Sequence, residues 1–366
     1  MMKRFTECRR GMGIGGWLTN YKRFNVLPDH RKMDITIGDY EHFAEYITER
    51  DVAYIASLGM DHIRLGFDQI VLEEYDRPGV YRACTMAHLD AFIGWCQKYD
   101  LGVVLNMHKA IGNYCDIEEK KQLLDEPELQ DRFIALWVEL EKRYADIPEV
   151  AFELLNEVRR VDPEKWNRLA EATVTALHQI NPTRDLIIGS VAWNAASTLK
   201  DLRVFDDPHV HYTFHMYAPH EFTHQRGVLQ ASTLYYNRKM PYPCDDIERY
   251  REYHRVVANR ENAYAQFTRM DETFIAHEMM PAVEFMRANP GKLLWCGEFG
   301  TIRHADMAWR EAYMRDVIAF LKAHDIPYCV WNYLSTPNDG NRFSLVDDDT
   351  RTILSDEMAK IIRGEG

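Results

Sequence analysis

Two hydrophobic rhythms alternate along the chain. Short apolar runs at about 12–17, 61–67, 101–107, 150–155, 185–190, 209–215, 293–297 and 327–331 predict eight strands. Between them lie stretches with apolar residues every three or four positions, which predict helices. These run from Tyr40 to Leu58 (stopped by Gly59), Met86 to Tyr99, Leu129 to Tyr144, Glu164 to Ile180 and Ala305 to Ala323. Strands that alternate with helices imply a parallel sheet. Eight of them imply a single α/β (β/α)8 TIM barrel over residues 1–366, with its active site at the C-terminal strand ends. His108, Asn156, Glu157, His215, Tyr217, Glu298 and Trp331 fall at such ends, and Arg64 lies within its strand near one.

One connection breaks the rhythm. Roughly eighty residues separate the sixth and seventh strands, too many for one helix and its loops. Residues 245–262 and 271–288 read as helices, the second with Phe274, Ile275, Met279, Val283 and Met286 on one face. The segment 219–270 is therefore expected to be an insertion subdomain over the C-terminal face of the barrel. Of its aromatics (Phe222, Tyr235, Tyr236, Tyr242, Tyr250, Tyr253), some should pack it down and one or two should line a cleft.

A formal charge of −13 argues against nucleic acid, whose phosphates it would repel. No apolar run approaches the ~18 residues of a membrane span, and the N-terminus lacks the apolar core of a secretory signal. The seven cysteines contain no C-x-x-C pair, and Cys296 and Cys329 lie in predicted strands. These features fit reduced, packed thiols, so the expected location is cytoplasmic, or secreted if a signal has been removed.

The chemistry is concentrated in two segments. Phe152-Glu153-Leu154-Leu155-Asn156-Glu157 and Leu294-Trp295-Cys296-Gly297-Glu298-Phe299-Gly300 are apolar runs that end in a carboxylate. Such a group is costly to desolvate. Two of them converging across a barrel could serve as the acid and the nucleophile of glycosidic cleavage. Arg64 in an apolar strand needs an anion, and Glu298 is the natural partner.

Other patterns fail their context. Gly11-Met12-Gly13-Ile14-Gly15-Gly16 fits G-x-G-x-x-G, but Trp17-Leu18-Thr19-Asn20-Tyr21 opens no helix to hold a pyrophosphate. No cofactor is expected, and the glycines more simply permit tight packing. His209-x-His211-x-Thr213-x-His215-x-Tyr217 lines one face of a strand, but alternate residues lie too far apart to share an ion. Further ligands at other strand ends are also lacking, so no metal is expected. No G-x-S-x-G elbow or Walker loop is present.

Taken in order, these residues resemble glycoside hydrolase family 5 over essentially the whole chain. The matching segments are Ile63-Arg64-Leu65, Asn106-Met107-His108-Lys109-Ala110, Asn156-Glu157, His215-Met216-Tyr217, Gly297-Glu298-Phe299-Gly300 and Trp331. Gly15-Gly16-Trp17-Leu18 and Phe222-Thr223-His224-Gln225 are shared with the family's clostridial endoglucanase C type. Val158 departs from the proline common after the acid, and Gly227-Val228-Leu229 is poor in aromatics.

The resemblance implies a retaining endo-β-1,4-glucanase acting on cellulose or mixed-linkage β-glucan, with mannan, xyloglucan or β-1,3-glucan as alternatives. It implies Glu298 as nucleophile, held ionised by Arg64 and oriented by Tyr217, and Glu157 as acid and base. Asn156 would bond the sugar 2-hydroxyl, His108 and His215 would position the sugar and the carboxylates, and Trp331 and Trp193 would offer stacking faces. Two other classes compete: a metal-dependent barrel hydrolase, and a non-catalytic sugar-binding barrel, which would be expected to lack a carboxylate.

Overall fold

In the computed structural model, which describes residues 2–19, 33–114, 122–336 and 340–365, eight parallel strands close into a barrel in chain order. They are β1 (Arg10–Leu18), β2 (His62–Asp68), β3 (Gly102–Lys109), β4 (Val150–Glu153), β5 (Leu186–Gly189), β6 (Val210–Met216), β7 (Leu294–Phe299) and β8 (Tyr328–Val330). Each lies within about two residues of its expected place. They are buried nearly throughout, as befits strands covered by helices on one side and filled by side chains on the other.

Most helices also fall where periodicity places them: Ala83–Lys98, Pro127–Tyr144, Pro163–His178, Glu272–Ala288 and Met307–Ala323. The stretch 40–58 is an exception. It forms two helices, Ile37–Glu45 and Glu49–Ser57, because Thr48 and Asp51 make a reciprocal capping box that restarts the helix. After β5 a 3-10 turn, Ala196–Asp201, stands in for a longer helix.

Tryptophans fix the strand ends from outside. Trp137 Nε1 donates to Leu154 O (3.1 Å) and Trp166 Nε1 to Gly189 O (2.8 Å), each just before a turn that enters the site. Within the barrel, Val104, Ala151, Ile187, Trp295 and Cys329 form an apolar layer with Phe5. The charged residues lie above and below it.

Residues 219–270 carry the helices His220–Thr223, Ala231–Tyr236 and Glu248–Ala258, closed by an antiparallel bridge between Cys244 and Met270. Phe222, Tyr242, Tyr250 and Tyr253 are buried. The Tyr242 ring packs on Phe222 and Tyr313, and its hydroxyl donates to Asp316 (2.7 Å). Those aromatics hold the segment together, whereas Tyr235 is 77% exposed. Among the described residues no helix is long and apolar enough to cross a membrane.

Candidate active site

Local backbone devices aim the two carboxylates. On β7, Gly297 is an extra residue in the pairing with β6: Phe214 faces Cys296, but His215 faces Glu298. Gly297 has no room for a side chain, since a Cβ there would lie 2.5 Å from Thr213 Oγ1. The bulge turns Glu298 inward beside His215, as bulges near sites often do. After β4, Glu157 itself takes a left-handed conformation (φ 44°), a costly choice for a non-glycine residue and one that marks functional turns.

Arg64 is wholly buried and ties the site together. Its Nε and Nη2 donate to Glu153 (2.5 and 2.8 Å), Nη2 also donates to Asn156 Oδ1 (2.8 Å), and Nη1 donates to Glu298 Oε1. The expected Arg64–Glu298 pair is present, but Glu153 is the two-pronged partner. Burial opposes the Arg64 charge, and the Glu153 and Glu298 carboxylates outweigh it. Tyr217 donates to Glu298 Oε2 (2.8 Å). Burial pushes the Glu298 carboxyl up, opposed by His215, Arg64 and Tyr217.

Glu157 has a poorer environment. Its one hydrogen-bond partner among the described residues is His215 Nδ1, 2.9 Å from Oε1. Burial pushes its pKa up to about 7, against the pull of Arg64 and with the help of Glu153. One carboxylate thus accepts hydrogen bonds from a guanidinium and a phenol, while the other accepts from neither, the kind of asymmetry that can set a nucleophile apart from an acid. An oxygen of each and a ring nitrogen of His215 lie within 4.8 Å of one another.

That trio has the spacing of metal ligands. However, both Glu298 oxygens already accept hydrogen bonds, one from a guanidinium cation, and so the donor set does not suit a second cation.

The flanking residues follow expectation in part. His108 Nδ1 lies 3.0 Å from Asn106 Oδ1, and burial drives its pKa well down, which keeps it neutral. Trp331 lies parallel to the His108 ring (5.3 Å, 7°). Gly13 and Gly15 make room for the indole: a Cβ would sit 2.8 and 2.5 Å from it. That close approach is the function of the glycine-rich strand. Trp193 is half-exposed on the turn after β5.

His209 and His211 lie outside the site, both at 3.0 Å from Asp185 Oδ1. Glu153 and Asn194 are the members that sequence reasoning missed. Glu153 carried a signal, a carboxylate within an apolar strand, the same argument applied to Arg64.

A model of the Cellulase family (glycosyl hydrolase family 5) matches residues 28–336. Endoglucanase C of Acetivibrio thermocellus is 34% identical over 360 residues, 97% of each chain. The chain belongs to glycosyl hydrolase family 5. Cellodextrinase A of Ruminococcus flavefaciens is a more distant relative, 28% identical over 80% of this chain and 76% of its own. Among solved structures, Thermotoga maritima Cel5A in complex with cellobiose shares the fold, with a TM-score of 0.73, 23% identity and 97% coverage of both chains.

Proposed function

We propose that this family 5 member is a retaining endo-β-1,4-glucanase that hydrolyses cellulose-type and mixed-linkage β-glucans by double displacement. The observation that carries the mechanism is the close approach of two unlike carboxylates, with oxygens within 4.8 Å. Retention needs them about 5–5.5 Å apart, too close for an intervening water.

Glu298, aligned by Arg64 and Tyr217, attacks the anomeric carbon as Glu157 protonates the leaving oxygen. Esterification of Glu298 removes a negative neighbour, so the pKa of Glu157 falls and it can take a proton from the incoming water. Asn156 keeps its carbonyl oxygen on Arg64. Its amide nitrogen lies 3.5 Å from His108 Nε2, and the second N–H of that group is left to bond the sugar 2-hydroxyl, a contact that strengthens in the transition state. Trp331 and Trp193 supply stacking faces, and residues 219–270 border the cleft. In support of that border, Thr223 Oγ1 donates to Tyr217 O (2.5 Å) and His224 packs on Tyr217 and Phe343.

The test is product analysis on soluble β-glucans, glucomannan, xyloglucan and β-1,3-glucan, with anomers followed by NMR. Internal cleavage of β-1,4-glucan with β-products appearing first is expected. Inverted products would overturn the mechanism, and preference for another polymer would overturn the substrate.

A further inference from the structure

The histidine beside the acid is itself held from behind. His215 Nδ1 lies 2.9 Å from Glu157 Oε1 and 3.7 Å from Glu298 Oε2. On the far side, Nε2 lies 3.2 Å from the Asn194 side-chain amide. Burial pushes the ring down to about 4, partly offset by Glu298, so it is neutral at working pH. A neutral imidazole donates from one nitrogen and accepts at the other. Glu298, paired with Arg64 and Tyr217, is an anion, so the nitrogen that faces both carboxylates carries the hydrogen. Nε2 is then bare, and Asn194 must present its N–H to it.

The backbone around Asn194 is committed to this contact. Ala192, Trp193 and Asn194 are three successive left-handed residues (φ 56°, 61° and 56°) with no glycine among them. Such conformations persist only where the surroundings over-determine them. Trp193 N–H donates to Val158 O (2.9 Å), the carbonyl next after the acid, and Asn194 N–H donates to Ser190 O (3.2 Å). At Gly189 a Cβ would fall 2.4 Å from Asn194 Oδ1, so the strand end has no side chain where this amide sits.

We infer that Asn194 is a positioning residue that selects the Nδ1–H tautomer of His215 and so places the acid's proton on Glu157 Oε2. The inference rests on the glycosidase reading of Glu157. Oε1 accepts the Nδ1 hydrogen, and a proton placed there would meet another. Oε2 therefore gives its proton to the glycosidic oxygen in the first step and receives one from water in the second. The charged or titratable groups that face Glu157 among the described residues are His215, Glu298, Arg64, Glu153 and Tyr217, and of these Asn194 is bonded to His215, through which its replacement acts.

Nitrogen-15 spectra of the imidazoles test this on the unmodified protein. His215 is expected in the Nδ1–H form, and an Nε2–H ring would overturn the inference whatever any variant does. In Asn194→Asp the side chain can only accept, so the ring should convert to Nε2–H or to imidazolium. Asn194→Asp and Asn194→Ala should lose about 10- to 100-fold on polymer, but no more than about threefold in the first step on a dinitrophenyl cellobioside, whose leaving group needs little acid. The basic limb of the pH profile should move in both. Equal losses on both substrates with an unmoved limb would show a merely structural role. An Nδ1–H ring in a protein that cleaves no β-glucan would support the tautomer assignment and refute the substrate reading instead.

Discussion

Strand β6 carries two histidines on one face, His211 and His215, each bonded to a carboxylate at about the same distance, yet the two pairs behave oppositely. Asp185, below the apolar layer, accepts from His211 and His209 and has Arg4 3.9 Å away. Burial pushes its carboxyl up, but those donors outweigh burial and hold it below its ordinary value. Glu157, above the layer, has one neutral ring, and burial carries it up to about 7. The difference lies in donor supply. A buried carboxylate with two imidazoles on one oxygen and an arginine nearby is a lock; a partly buried one left with a single neutral ring is suited to be an acid.

The comparison breaks most visibly at the proposed nucleophile. Glu298→Gln should lose on the order of 10⁵-fold in kcat, as removal of a nucleophile does, with the thermal midpoint little changed. A fluorosugar inactivator should label Glu298 alone, as mass spectrometry would report. Label on another carboxylate would remove Glu298 from its role.

Glu157→Gln should cost about 10²- to 10⁴-fold on polymer, and far less in the first step on an activated aryl glycoside. On the proposed mechanism activity needs Glu157 protonated, so it should fall as pH rises through about 7. The variant should lack that limb on the activated substrate, and azide should restore its second step as a β-glycosyl azide. No rescue, and equal loss on both substrates, would make Glu157 structural.

How much of this is legible in the sequence depends on what fixes each feature. The strands are legible because burial on both faces leaves continuous apolar runs, and the proposed catalytic pair is legible because each ends such a run. The helix break at Tyr46-Ile47 is written in Thr48-x-x-Asp51, a capping signal hidden inside a periodic stretch. The inward turn of Glu298 is not legible, because alternation along β7 would point Gly297 inward and only the bulge reverses it. Asn194 leaves no local trace either. Its left-handed turn contains no glycine, and its meaning comes from His215, which lies 21 positions away.

A smaller effect is expected at the rim. Trp193 is 48% exposed beside the acid's turn, and a stacked ring contributes about 1 kcal/mol. Trp193→Ala should then lower kcat/KM on long glucans about fivefold and leave aryl glycosides nearly unchanged. A uniform loss on both would show that the ring only braces the turn.

The smallest catalytic effect belongs to the lower pair, and it tests the comparison most directly. Asp185→Asn leaves the site untouched, so kcat/KM should stay within about twofold, since no reacting group meets that carboxylate. Stability should fall, because a buried acceptor of charge-assisted bonds is worth about 1–3 kcal/mol. The sign with pH follows from the lowered carboxyl. Its contribution is fully present above the ordinary value of 3.8 and is lost as pH falls through the lower folded value. The gap in thermal midpoint between wild type and Asp185→Asn should therefore be open at pH 6 and close in strong acid. The closure should follow protonation of a carboxylate that the variant lacks. A gap that persists unchanged at low pH would mean that Asp185 acts through shape and not through charge. A large loss of kcat/KM with no change in midpoint would mean that the two ends of β6 are chemically linked, and the contrast between lock and acid would fail.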